Sequence, residues 1–243
     1  MDRAKFFAGL RARGSGVFGT SLSQGQVSGT EAILDEAQAR GVPLRHLAYI
    51  LATAYHETAH TMQPIAEYGK GKGRKYGIPA GPDNQVYYGR GYVQLTWLAN
   101  YAKAGKKLGV DFVRYPERAM DPRLAAQIMF LGMAEGWFTG KKLSDYIDGD
   151  KADYANARRI INGTDKKDLI AGYAKAFETA LRAAGYFGMA PKVLPTPKPI
   201  PVTTPEPSIP KASEPKKADP VISIPEPSGF WASLIAYLFP RKA

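Results

Sequence analysis

The chain of 243 residues contains no cysteine. That excludes a disulfide scaffold, a thiolate nucleophile and any thiolate metal site. Histidine is almost as scarce: His46, His56 and His60 are the only three. Long apolar runs are missing as well. The two longest apolar-rich stretches, Leu47–Tyr55 and Gly229–Phe239, fall far short of the roughly 20 residues a membrane-spanning helix requires. The N-terminal MDRAKFFAGLRARGSG is basic but lacks the apolar core of a secretory signal, so synthesis in the cytoplasm without a signal peptide is expected. Acidic residues are outnumbered, with 22 Asp and Glu against 33 Lys and Arg and a net charge of +11. Such a charge suits nucleic acid, anionic lipid or an anionic wall polymer, and does not choose among them.

Proline is sparse at first and then dense. Of 19 prolines, 12 fall between Pro191 and Pro227. Residues 191–228 are therefore expected to form an extended, solvated, Pro-rich linker. In the closing segment 229–243, Phe230, Trp231, Leu234, Ile235, Leu238 and Phe239 make a helical apolar stripe, stopped by Pro240 and followed by Arg241 and Lys242. This amphipathic helix suits an anionic membrane surface through 229–239, or docking onto a protein.

Residues 1–190 read as one mainly helical domain. Phe6, Phe7 and Leu10 form a short amphipathic stripe. Thr30 is placed to cap a helix through Arg40, with Gly41 as its stop. Pro43 opens an apolar helix that runs into His56–His60 and must end by Pro64. Residues 69–82, GKGKGRKYGIPAGP, are too rich in glycine to be regular and read as a loop. Helices are expected over 93–108, 121–138, 154–161 and 168–184, with Asn162-Gly163 as a turn between the last two. No convincing alternating strand pattern and no internal repeat is visible.

His56-Glu57-Thr58-Ala59-His60 supports two chemistries. As HExxH on a helix, it places two imidazoles on one face to hold Zn²⁺ while Glu57 activates water. Such a site needs a third ligand. His46 lies upstream, and Gln63 and Ala66 occupy the later positions of the extended HExxHxxGxxH form. The other reading pairs Glu57 with Glu67. An inverting glycosidase needs a protonated carboxyl for the leaving oxygen and an ionised one for water, about 6.5–9.5 Å apart. A straight helix would separate residues ten apart by about 15 Å, but Pro64 turns the chain and lets Glu67 fold back. Burial of Glu57 at the end of an apolar helix would raise its pKa, as a general acid requires. The ordinary alternative for each Glu is a solvated surface charge.

The run Tyr87–Trp97, YYGRGYVQLTW, is no metalloprotease feature. Its glycines allow close backbone approach. Gln94 and Thr96 suit sugar hydroxyls and N-acetyl groups, and its aromatics offer faces for a pyranose. A core-packing aromatic turn explains the same residues.

This run resembles the family 19 glycoside hydrolase signature YYGRGP-[IV]-QL-[ST]-W. His56-Glu57-Thr58 resembles that family's H-E-T at its general acid, and Arg159-Ile160-Ile161-Asn162-Gly163 its R-x-I-N-G turn. The motifs occur in the family's order, across chitinases and similar phage endolysins. The resemblance implies a lysozyme-like, two-lobed domain with a substrate cleft. It implies Glu57 as general acid, Glu67 as general base, and Gln94, Thr96, Asn100, Asn162, Tyr88 and Arg90 as substrate contacts, with no metal or cofactor. The short interval from Glu57 to Glu67 is similar to the endolysin-type branch. Tyr92 replaces the usual Pro, Ala99 stands where plant chitinases have Tyr, and 162–166 lacks the Glu those enzymes carry.

These departures favour an N-acetylglucosamine polymer other than crystalline chitin. Peptidoglycan is the expected partner, because its peptide carboxylates would attract a basic domain. The expectation is a monomeric, endolysin-like enzyme that binds no nucleic acid, acts on the wall or periplasm after release, and serves host lysis. A chitinase of the same fold, an inactive wall-binding module and a zinc protease are the alternatives.

Overall fold

The computed structural model describes residues 1–188, and the expected linker and C-terminal helix lie outside the described residues. Seven α-helices carry the described chain: α1 Arg3–Leu10, α2 Gln24–Arg40, α3 Leu44–Glu57, α4 Leu98–Leu108, α5 Pro122–Glu135, α6 Leu143–Tyr146 and α7 Lys167–Ala183. Two short antiparallel ladders accompany them. β1 Ile65–Ala66 pairs with β2 Arg90–Gly91, and β3 Ile147–Asp148 pairs with β4 Lys151–Ala152. The expected mainly helical class holds. The ladders escape sequence reading because two-residue strands are too short to show alternation.

α3 is the central element. Its side chains from Leu47 through Tyr55 are all buried, as befits a helix that is apolar on nearly every side. α7 packs along α3 and α1, while α5 packs on α2 and on the 3-10 turn Pro116–Met120, which also meets β2. Glu57 thus belongs to one packing group, and the β1–β2 ladder that flanks Glu67 belongs to the other.

Several boundaries differ from expectation, each for a local reason. α2 begins at Gln24, not near Thr30. Ser23 and Gln26 form a reciprocal capping box, with bonds of 3.1 and 2.8 Å. Thr30 is buried inside the helix, donating to the carbonyl of Gln26 at 2.7 Å. The expected helix over 93–108 starts only at Leu98. Arg90 and Leu95 exchange backbone hydrogen bonds of 2.9 and 3.2 Å, and Gln94 and Trp97 sit at φ +53° and +70°, incompatible with a right-handed helix. The expected helix over 154–161 is a 3-10 turn, Asn156–Ile160.

The most consequential difference lies after α3. The helix stops at Glu57, well before Pro64. Ala59, His60 and Met62 have φ of +50°, +67° and +55°. The Thr58 hydroxyl donates to the carbonyl of Ala54 at 2.7 Å and accepts from the Met62 amide at 3.0 Å. α2 clamps this turn from outside. Gln26 donates to the carbonyl of His60 at 2.9 Å, and a Cβ at Gly29 would lie 1.7 Å from the carbonyl oxygen of Met62. Only glycine permits that approach.

Candidate active site

Ending α3 at Glu57 separates the two halves of HExxH. His60 lies beyond the helix, in the left-handed region, so it does not share a helical face with His56. Its ring stacks on Tyr55 at 4.1 Å and 6°, and meets the edge of Tyr173 at 5.9 Å. His56 is half-buried, and burial, helped by the nearby Arg158 charge, lowers its pKa to about 4. His46 lies elsewhere, its Nε2 at 2.8 Å from the carbonyl of Ile147. The helical geometry behind the zinc reading is therefore absent, and His60 packs as an aromatic ring.

Glu57 is 1% exposed. Arg158, from the 3-10 turn 101 residues downstream, donates through Nη1 to Glu57 Oε1. Arg158 is itself 1% exposed, and its Nε donates to the carbonyl of Asp165 at 3.2 Å. Burial raises the Glu57 pKa, and the Arg158 charge and hydrogen bond oppose it without reversing the direction. A carboxyl held this way keeps its proton longer than a solvated one, yet has a cation beside it when the proton leaves.

Glu67 is 6% exposed and held differently. Tyr76 donates its hydroxyl to Oε1 at 3.0 Å, and the backbone N–H of Gly89 donates to Oε2 at 3.1 Å. The Glu67 N–H in turn donates to the Gly89 carbonyl at 2.7 Å. Both oxygens of the Glu67 carboxyl therefore act as acceptors. Gly89 has no spare room, since a Cβ there would lie 2.7 Å from Gln94 Oε1.

The other expected contacts divide into braces and free groups. Gln94 is 5% exposed and spends its amide N–H groups on the carbonyls of Ile65 and Gly91, at 2.9 and 3.3 Å. It ties down the strands beside Glu67. Arg90 is 6% exposed; its Nη1 donates to the carbonyls of Val86 and Tyr88 and to the Tyr101 hydroxyl, and its guanidinium lies 3.5 Å above the Tyr88 ring. Arg90 and Tyr88 thus set the loop's shape. Thr96 and Asn100 are half-buried, and no hydrogen bond among the described residues occupies their side chains. Asn162 accepts from the Gly163 N–H at 2.9 Å and follows Arg158 by one turn, on the segment that reaches Glu57.

Sequence reasoning missed Arg158. The motif pointed to Arg159, which is exposed. The available signal was the pairing of Tyr154 with Arg158, four residues apart before the Asn-Gly turn, together with the need of a buried carboxylate for a counter-charge. It also left out Tyr76, the aromatic that donates to Glu67 and packs on Trp97 of the expected run. Trp97 is 46% exposed at a strained φ of +70°, and Tyr76 meets it edge-on at 5.5 Å.

No family model matches the chain. Among curated proteins it is 36% identical to an endochitinase of Arabidopsis thaliana over 85 residues, 32% of this chain and 31% of that protein. It is 31% identical to the acidic endochitinase of Dioscorea japonica over 131 residues, 51% of this chain and 49% of that one. The chain thus spans half or less of the length of these relatives. Among solved structures, chitinase C of Streptomyces griseus HUT6037 matches with a TM-score of 0.51 and 21% identity, covering 77% of each chain. That likeness shows the fold: mainly helical, of the lysozyme-like chitinase type.

Proposed function

We propose that this chain is a glycoside hydrolase that cleaves β-1,4 bonds of an N-acetylglucosamine-containing polymer with inversion. The observation that carries the reading is the contrast between its two buried carboxyl groups. Glu57 is desolvated beside a single cation, and Glu67 is supplied with two hydrogen-bond donors. Two carboxyl groups in such unlike surroundings are suited to unlike roles, one giving a proton and the other taking one. In the reaction Glu57 gives its proton to the glycosidic oxygen as the C–O bond breaks. Glu67 takes a proton from a water that attacks the anomeric carbon from the opposite face. One water is consumed, and Arg158 faces the carboxylate left on Glu57. Thr96 and Asn100 are polar groups without a hydrogen bond among the described residues, and Asn162 keeps its amide N–H groups, all suited to sugar hydroxyls and acetamido groups.

Peptidoglycan is the substrate we favour. The net charge of +11 suits a glycan that carries peptide carboxylates, in keeping with a monomeric lytic enzyme of the endolysin type acting at the cell wall. Chitin is the second reading, and the chitinase names of the similar proteins support it. Incubation with purified peptidoglycan and with chitin oligomers, followed by mass spectrometry, separates the two. Cleavage between the amino sugars of peptidoglycan, with chitin oligomers left whole, is the expected result. The reverse pattern makes the protein a chitinase. Failure to cut either, by a folded protein, removes the catalytic reading and leaves a wall-binding module.

A further inference from the structure

Around the Glu57 carboxyl lies a set of buried polar atoms whose partners the reaction above does not assign. Tyr49 OH, Thr53 Oγ1, Glu57 Oε2 and Arg158 Nη2 are all buried with no partner in good hydrogen-bond geometry, although the Tyr49 and Thr53 hydroxyls are near enough to interact with each other. Their residues are 0% to 1% exposed. Tyr49, Thr53 and Glu57 recur every four residues along α3, so they share one stripe of the helix. Two contacts align the facing segment with that stripe. Tyr154 stacks parallel on Tyr49, with centroids 6.0 Å apart at 6°, and Arg158 pairs with Glu57. Thr53 occupies the interval between those contacts. Buried polar groups in native proteins are paired with protein or with ordered water, and a water held by up to four polar partners is a normal interior feature.

We propose that Tyr49 and Thr53 are positioning residues for Glu57: together with Arg158 they hold one ordered water against Glu57 Oε2. The donor and acceptor count closes. Arg158 Nη2 and the Tyr49 hydroxyl donate to the water, the water donates to Glu57 Oε2 and to Thr53 Oγ1, and the Thr53 hydroxyl hydrogen turns to the Tyr49 oxygen. A donor at Oε2 stabilises the ionised carboxyl left after proton transfer. The groups whose charges bear on this interval are Arg158, Tyr49 and Glu57 themselves, Tyr146 from α6, and His56 beside Glu57. The proposal rests on reading Glu57 as the general acid.

The test is a direct titration of the Glu57 carboxyl by difference infrared spectroscopy, assigned with Glu57→Gln, in the full chain and in Thr53→Val, Tyr49→Phe and Thr53→Ser. Loss of the water removes a donor to the carboxylate, so the titration should move up by about one unit in Thr53→Val and Tyr49→Phe. Thr53→Ser, which keeps the hydroxyl, should stay in place. An unmoved titration in the folded Val and Phe variants overturns the proposal, as does an equal shift in Thr53→Ser. A high-resolution crystal structure of the unaltered protein gives a check that needs no variant to fold. Ordered water within hydrogen-bond distance of Thr53 Oγ1 and Glu57 Oε2 is expected, and a dry interval overturns the idea. The titration is read on the resting protein. A chain that cleaves no glycan but shows the shift therefore rejects the hydrolase reading alone, and an active chain with an unmoved titration rejects only the water.

Discussion

Glu57 closes a helix buried on nearly every side, whereas Glu67 stands just after a two-residue strand and leads into a glycine-rich loop. The first carboxyl is surrounded by packed helices and meets one cation. The second is surrounded by loop backbone and takes hydrogen bonds from Tyr76 and Gly89. Helical packing excludes bulk water and leaves few free backbone donors, so it raises the cost of ionisation. A loop has backbone N–H groups that helix geometry has not consumed, so it can satisfy a carboxylate. The proposed acid and the proposed base are thus matched to the kind of structure that holds each.

The sharpest way to break that contrast is to remove each carboxyl. Glu57→Gln and Glu67→Gln should each lower hydrolysis by roughly 100- to 10,000-fold while the protein stays folded, as expected for general acid–base groups. Glycan turnover beside circular dichroism checks this. Full activity in either variant would dissolve the pairing.

Removing Arg158 tests the helical side alone. Arg158→Leu leaves Glu57 buried without its cation, a change that costs about 3–5 kcal/mol when the carboxyl must stay ionised. Proton uptake relieves that cost, so the loss should grow as pH rises. The sign follows from linkage: a carboxyl whose folded pKa lies above its unfolded value binds more protons when folded, and favours folding most at low pH. Denaturation midpoints across pH measure this. The basic limb of the activity profile should also move to higher pH, since Arg158 opposes the upward shift of Glu57.

On the loop side the effects should be smaller. Tyr76→Phe removes one donor to Glu67 and should lower kcat roughly tenfold, with about 1 kcal/mol or less of stability lost. Smallest in stability is Trp97→Ala. Trp97 is 46% exposed and outside the core, so stability should change by about 0.5 kcal/mol or less. If the indole is a sugar platform, KM should rise with little change in kcat, and an unchanged KM would leave it as a cap on α4.

Much of this arrangement is legible in the amino-acid pattern. The apolar run Leu44–Tyr55 announces a buried helix, and Gly41 marks the end of the one that precedes it. The carboxylate reading of Glu57 and Glu67 comes from a helix break and a motif. The break itself falls earlier than Pro64 suggests, because the turn is made by Thr58 and by the close approach of Gly29 to Met62. Arg90 and Gln94 look like sugar contacts because they are polar and flanked by glycine and aromatics. Their partners are mostly backbone carbonyls close by in the fold, whose orientation no side-chain pattern reveals.

Local spacing by itself determined the helical class and the central helix, since periodicity and proline act over a few residues, and a family resemblance singled out the two acidic residues. Only the tertiary structure decided which arginine serves Glu57. Arg158 and Arg159 are chemically identical neighbours, and burial on the side facing α3 singles out the first. It also decided that His60 packs rather than pairs with His56, and that each carboxyl has its own surroundings. Those outcomes depend on contacts between distant parts of the chain, 101 residues apart for Glu57 and Arg158, and burial sets their strength by removing the water that would otherwise screen them.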